Sequence, residues 1–199
     1  MKFIRFIRFI TGSIKIIFHG SKTYYAWLIF LLLLILWGGF GYSGQLAHGL
    51  IETHMRDSVS WAFYIGNFTF LVGVAAAAIM LVIPAYIYDW KPIKEIAIFG
   101  ELLAVCAVIM CLSFIIVDIG NPLRFWHMLP LIGTLNFPSS MLSWDFFVLN
   151  IYLIINLIVV TYLLYCIFYK KEYKKSFVLP LVLLSIPMAV AIHTTTAFL

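Results

Sequence analysis

From Asp118 to Asp145 the chain reads DIGNPLRFWHMLPLIGTLNFPSSMLSWD, and this stretch joins two long apolar runs. It carries a carboxyl at each end, with Arg124 and His127 between them and Phe125 and Trp126 beside the imidazole. An imidazole exchanges protons with a hydroxyl near neutral pH, and aromatic neighbours stack on a flat ring. The set suits a quinone headgroup. Each residue also has a structural reading. Asp118 falls in the last turn of a helix, where the backbone dipole disfavours an anion, so an ion pair with Arg124 or His127 would pin the loop. Asp145 follows Ser143 at the start of a span, where a capping role competes.

Asp145, Leu149, Tyr152 and Asn156 share one helical face. A stripe of acid, phenol and amide belongs inside a bundle rather than against lipid, either lining a ligand pocket or joining helices. Trp126, Tyr64, Asn67, Trp144 and Tyr152 are further candidates to line the pocket. His193, near the end of the last span, is a candidate partner for the ring, with a packing role as the rival. Glu101 and Asp118 are read as lying near one helix face, about 25 Å apart along the axis, and form a candidate proton path. A buried cap role competes for Glu101. His127 and His193 are the only pair that could ligate a b-type haem, and both sit at a membrane edge, so haem is not expected. His48 and His54 are assigned no role.

These side chains need elements to hold them. Of 199 residues, 64% are apolar and 11% charged, against about 25% charged in soluble domains. Continuous apolar runs recur, each long enough to cross about 30 Å of hydrocarbon. The fold class is an all-α, polytopic transmembrane bundle, and the unbroken runs exclude an outer-membrane barrel. Five spans are predicted, at about 24–45, 61–88, 94–118, 144–168 and 176–199, in a transmembrane domain 23–199. Residues 1–22 place Lys2, Arg5 and Arg8 at three-residue steps among Phe and Ile, as in a basic amphipathic helix on a membrane surface.

Basic residues cluster before the first span, between the second and third (Lys91, Lys94), and between the fourth and fifth (Lys170, Lys171, Lys174, Lys175). The other two loops hold only Arg56 and Arg124. The positive-inside rule then makes the N-terminus cytoplasmic and turns the Asp118–Asp145 loop outward, in a cell inner membrane. The net charge of +5 reports topology and anionic lipid, not nucleic acid. Cys106, Cys111 and Cys166 all lie within spans, without a C-x-x-C pair, so no metal site or intrinsic cluster is expected.

Gly38, Gly39, Gly41 and Gly44 close the first span, and Gly66, Gly73 and Ala75–Ala78 mark the second, as surfaces for close helix contact. Pro84 and the Asp89-Trp90-Lys91-Pro92 turn are expected to end the second span, Gly120 to cap the third, and Pro180 and Pro187 to interrupt the fifth. SWAFYIGN (60–67) and SWDFFVLN (143–150) share a pattern. They suggest a repeated helix pair making one four-helix unit with the first span peripheral, although interfacial aromatics also recur by chance.

The combination Asp118, Gly120, Pro122, Arg124, Trp126, His127, followed by SMLSWD (140–145) and NIYL (150–153), resembles the NrfD-like family of polysulphide reductase membrane subunits. THMRDSVSW (53–61), NFTFLVG (67–73) and IHTTTAF (192–198) are similar to its DsrP branch, associated with sulphite-reductase (Dsr) complexes, and the likeness extends over the chain after about residue 20. The resemblance implies a haem-free subunit exchanging electrons between menaquinone or ubiquinone and a periplasmic ferredoxin-like iron–sulphur protein. A multihaem cytochrome c and other Dsr-type subunits are implied as further partners, with haem and clusters confined to them. It carries quinone contact onto His127 and Asp145, then Asp118 and Arg124, then His193. Such members have about ten spans, so this chain corresponds to the half with one peripheral helix and the quinone-binding bundle. A non-catalytic anchor for the peripheral proteins is the rival reading, and a transporter half is a third.

Overall fold

The computed structural model describes residues 2–56, 58–59, 61–129, 132–134 and 136–199. Asp57 and Ser60 of the family-like motif, Ser60 also opening one copy of the repeat, lie outside the described residues, as do Pro130, Leu131 and Leu135.

A short helix α1 (Lys2–Ile17) precedes α2 (Lys22–His48), α3 (Phe63–Ala77), α4 (Ile79–Val82), α5 (Lys91–Asp118), α6 (Met141–Phe168) and α7 (Lys175–Phe198). Among the described residues, five helical segments are long and apolar enough to cross a membrane: α2, the composite Phe63–Ile87, α5, α6 and α7. The chain is an all-helical, multi-pass membrane protein. The observed spans begin up to three residues before the expected third and fourth ones, because polar residues such as Lys91 and Ser143 are absorbed into first turns.

Helices α3, α5, α6 and α7 pack in a ring, each touching the next and α7 closing back on α3. Lipid is as apolar as these side chains, so close packing and interhelical hydrogen bonds hold the bundle together. Small residues permit the approach: Ala75, Ala97 and Ala104 are fully buried. One apolar cluster, around Phe68, Val72, Val108, Leu149 and Ile192, fills the end that carries the 119–140 loop. A second, around Val82, Ala85, Leu163 and Val178, fills the end that carries the lysine-rich turns. These are called the loop end and the basic end below.

Helix α2 is capped by Ser21, whose hydroxyl accepts from Tyr24 N at 3.2 Å, and is almost wholly exposed, as a peripheral span should be. Its glycines, however, do not serve a helix contact. A Cβ at Gly38, Gly39 or Gly41 would meet nothing within 4 Å, and at Gly44 only the Glu52 carboxyl. Gly66 and Gly73 are likewise open, and in that span Ala75 and Ala78 make the close contact. What ties α2 down is Gln45, which is 5% exposed. Its amide donates to Val117 O at 3.1 Å and its carbonyl accepts from Tyr64 OH at 2.8 Å. A buried primary amide needs both kinds of partner, and here they come from α5 and α3.

Proline does less damage than expected. The second span ends at the expected turn before Lys91 and not at Pro84, where the backbone widens into a π turn over Ile83–Ile87, with Tyr88 N bonding Ile83 O at 3.4 Å. A π turn absorbs the ring and the missing N–H without breaking the helix. Pro180 and Pro187 lie inside α7 without interrupting it, since neighbouring helices support a transmembrane segment around a lost hydrogen bond. Gly120 does take a left-handed conformation after α5, at φ 77°. Pro122 then opens a 3-10 helix, Pro122–Met128.

At the basic end Asp89 accepts from both Lys94 and Lys175, so one carboxylate joins the end of the π turn to the starts of α5 and α7. The two ammonium groups hold its pKa down at about 2. Helix α1 rests on the end of α6: Phe9, 5% exposed, is edge-on to Tyr165 and Phe168.

The two copies of the internal pattern play matching parts. Asn67 donates to Phe63 O at 2.8 Å and Asn150 to Phe146 O at 2.7 Å, while Ile65 and Val148 are both buried. They differ at the start. Ala62 precedes α3 as its cap residue, whereas the equivalent Asp145 lies a full turn inside α6.

Candidate functional site

Helix α6 begins at Met141 after the cap residue Ser140. Asp145 therefore caps nothing: the earlier start turns it inward, where it is 0% exposed. Leu149, Tyr152 and Asn156 follow it along the same buried stripe. The Asp145 carboxyl accepts from Thr195, and from Thr196 at 3.3 Å, both through Oδ1. Oδ2 is buried and has no hydrogen-bond partner. No Lys, Arg or His forms an ion pair with it among the described residues. A buried carboxyl oxygen with no donor or cation is costly to maintain, which makes Asp145 a candidate site residue.

Thr195 connects this acid to the outside of the bundle. It lines a cleft of about 390 Å³ with Met141, Trp144, Thr194 and Phe198. Its hydroxyl also lies 3.0 Å from Ala191 O and 3.2 Å from Ile192 O. One hydroxyl has one proton and two lone pairs. It can donate to the carboxylate, or donate to the backbone and accept from a protonated acid. Trp144 is fixed by a bond from Nε1 to Pro138 O at 2.9 Å and packs on Phe137, with centroids 4.6 Å apart. Two turns deeper, Tyr152 OH donates to Ala75 O at 3.0 Å, tying α6 to α3.

His127 sits on the 3-10 helix in the loop. Its ring lies against Trp126, centroids 3.9 Å apart, and Nδ1 is 3.1 Å from Thr134 Oγ1. The Nε2 edge has no hydrogen-bond partner among the described residues. The loop folds back tightly here, since a Cβ at Gly133 would collide with the His127 backbone. Beneath, Phe125 and Met128 close a cleft of about 210 Å³ with Leu112, Ile115, Phe146 and Asn150.

The other expected site residues are dispersed. Asp118 does not pair with Arg124 or His127: its Oδ1 is buried without a partner and Arg124 is exposed. Gly120 and the 3-10 helix carry the guanidinium away from the carboxyl instead of doubling back to it. His193 is exposed and bonds only its own helix, Nδ1 to Ala189 O at 3.3 Å, so nothing joins it to His127. Tyr64 is engaged by Gln45, and Asn67 by its own helix.

Glu101 is 2% exposed in the other half of α5, with Oε2 unpartnered and Tyr86 within interaction range. It shares no face with Asp118. Seventeen steps of 100° leave the two acids about 100° apart around the axis. Only Glu101 is turned fully inward. Among the described residues no cluster of three His, Cys, Asp or Glu could hold a metal ion.

Sequence reasoning missed Thr195, Thr196 and Gln45. The signals were the IHTTTAF motif, whose three hydroxyls close an apolar span, and one amide closing another.

Comparison with known proteins matches residues 51–199, the ring of α3 to α7 together with the loop before it, to the family described as "Polysulphide reductase, NrfD". The match begins past α1 and α2, later than the resemblance from about residue 20. The chain is 33% identical over 130 residues to a putative dimethyl sulfoxide reductase membrane subunit of Halobacterium salinarum, covering 65% of this chain and 29% of that protein. It is 28% identical over 116 residues to a selenate reductase subunit of Mesobacillus selenatarsenatis, covering 58% and 26%. The matched stretches thus span less than a third of either relative. With a family match over three quarters of its length, embracing every helix of the bundle, the chain belongs to the polysulphide reductase NrfD family.

Proposed function

We propose that this protein is the quinone-reactive membrane subunit of a respiratory oxidoreductase of the Dsr type, linking the menaquinone or ubiquinone pool to an iron–sulphur protein. The observation that carries the reading is Asp145: a fully buried acid with one free oxygen, reached from an open cleft through the Thr195 hydroxyl. A polar headgroup that needs a proton acceptor, flanked by aromatic walls, fits that arrangement. The printed names of the two relatives, both subunits of reductases, support the membrane-subunit role.

A quinol gives up two electrons and two protons when oxidised, and the residues of this chain serve the protons. Asp145 takes one at Oδ1 through the Thr195 hydroxyl, which bonds that oxygen and opens on the cleft. His127, whose Nε2 has no hydrogen-bond partner among the described residues, takes the second near the loop surface. Glu101 is an acid of the basic half whose role is separate from that of Asp118. The distribution of lysines supports a cytoplasmic N-terminus in the inner membrane. The loop end then faces a periplasmic ferredoxin-like partner and, through it, a multihaem cytochrome c.

Exposed Leu123, Phe125 and Trp126 on the 3-10 helix favour a second reading, in which the loop only anchors that partner. Quinone content of the purified complex separates the two. Bound quinone in the wild-type complex, with Asp145→Asn losing quinol-dependent turnover and keeping the partner, supports the first. A complex without quinone, whose variant loses the partner, would leave the anchor reading standing.

A further inference from the structure

The larger clefts of this protein lie away from Asp145, at the basic end. One, of about 840 Å³, runs between α1 and the adjoining parts of α6 and α7. Its floor includes Leu157 and Ile158, Phe6 lies along one side, and Arg5, Lys171 and Lys174 line it as well. No carboxylate contributes to the lining. Among the described residues none of the three cations is paired with an acid, whereas neighbouring Lys94 and Lys175 are both neutralised by Asp89. Arg5 is held in place, because Tyr169 OH donates to its carbonyl at 2.8 Å and Phe9 anchors the same helix.

The dimensions limit what can occupy it. Ile158 lies ten residues before the end of α6 at Phe168, which is about 15 Å along a helix axis. That is half of the roughly 30 Å hydrocarbon core. The groove therefore offers unpaired positive charge in the interfacial turn and an apolar furrow one leaflet deep. Free phosphate could use the charges but not the furrow, and a neutral lipid could use the furrow but not the charges.

We propose that this groove is a binding site for an anionic phospholipid. The headgroup phosphate lies among Arg5, Lys171 and Lys174, and an acyl chain follows Leu157 and Ile158. Basic pockets between transmembrane helices are suited to such headgroups. The bound lipid seals α1 to the bundle, which otherwise holds it through Phe9 and one hydrogen bond.

The test titrates the detergent-solubilised full chain with phosphatidylglycerol, with phosphatidylcholine and inorganic phosphate as comparators, and reads bound lipid by native mass spectrometry. The variant Arg5→Gln/Lys171→Gln/Lys174→Gln is compared with Lys15→Gln/Lys22→Gln/Lys170→Gln, which removes equal charge outside the groove. Each cation is worth roughly fivefold in affinity, so the groove variant should bind phosphatidylglycerol about 100-fold more weakly. The comparison variant should bind as wild type does, and melting curves of both establish that they are folded. Equal loss in both variants would mean a diffuse attraction and overturn the site. So would equal retention of phosphatidylcholine, or displacement of the lipid by inorganic phosphate.

Discussion

Replacing Asp145 by Asn separates chemistry from architecture at the buried acid. Asn has the same shape. Its carbonyl oxygen can still accept from Thr195 and Thr196, as Oδ1 does now, and its amide occupies the position of the unpartnered Oδ2. Interhelical hydrogen bonds inside membrane bundles average about 0.6 kcal/mol and reach about 1.7. The fold should therefore change by about 1 kcal/mol in either direction, or a shift of about 2–4 °C in melting temperature for a chain of this size. The chemical loss is of another order. A positioned proton acceptor is worth about 10²–10⁴ in rate, equivalent to about 3–5 kcal/mol, and an amide cannot replace it. The assay is quinol-dependent turnover of the assembled complex, run beside thermal unfolding of the same preparation. Turnover should fall by about 100-fold or more while melting barely moves. Wild-type turnover would show that Asp145 carries no proton. Turnover and melting falling together would show that it only joins α6 to α7.

Tyr152→Phe should lower stability by about 0.6–1.7 kcal/mol, because only the bond to Ala75 O is lost; unfolding in detergent that shows no change would mean this bond does not hold α6 to α3. Asp89→Asn should remove an acid-sensitive component of stability. The Asp89 pKa falls from 3.8 unfolded to about 2 folded. Its contribution is thus complete above 3.8 and disappears as the pH falls toward 2. Unfolding curves of wild type and variant should differ at pH 5 and converge through that window, and parallel curves throughout would contradict the two-lysine clamp.

Much of this architecture was legible because hydropathy leaves little choice: an apolar run longer than twenty residues with one or two charges has to be a spanning helix. The buried stripe from Asp145 to Asn156 was legible for a similar reason, since three- and four-residue spacing fixes a face before any partner is known. That Asp145 caps nothing was not legible, because Ser143 is as good a local signal as Ser140, and the choice depends on how the preceding loop enters the bundle. The partner of Asp145 lies fifty residues away in α7, beyond any local pattern. Asp118 and Arg124 are close in sequence with opposite charges, yet a positive-φ glycine and a 3-10 turn between them decide where each points. Proline rules derived from water overstated the breaks in α7 and at Pro84, where surrounding helices and a π turn accommodate the ring.

Neither apolar cluster of the bundle contains a residue from α1 or α2. The four-helix unit is thus complete in its packing without them, and the two N-terminal helices behave as attachments, each fastened at one end: α2 around the Gln45 amide at the loop end, α1 by Phe9 and the Tyr169–Arg5 hydrogen bond at the basic end. A part fastened at one end can be exchanged without redesigning what it is fastened to. Sequence drift along α2 is therefore constrained by the membrane it crosses, and by the bundle only near Gln45. The unit that carries Asp145 can keep its interior unchanged while its periphery adapts to different assemblies.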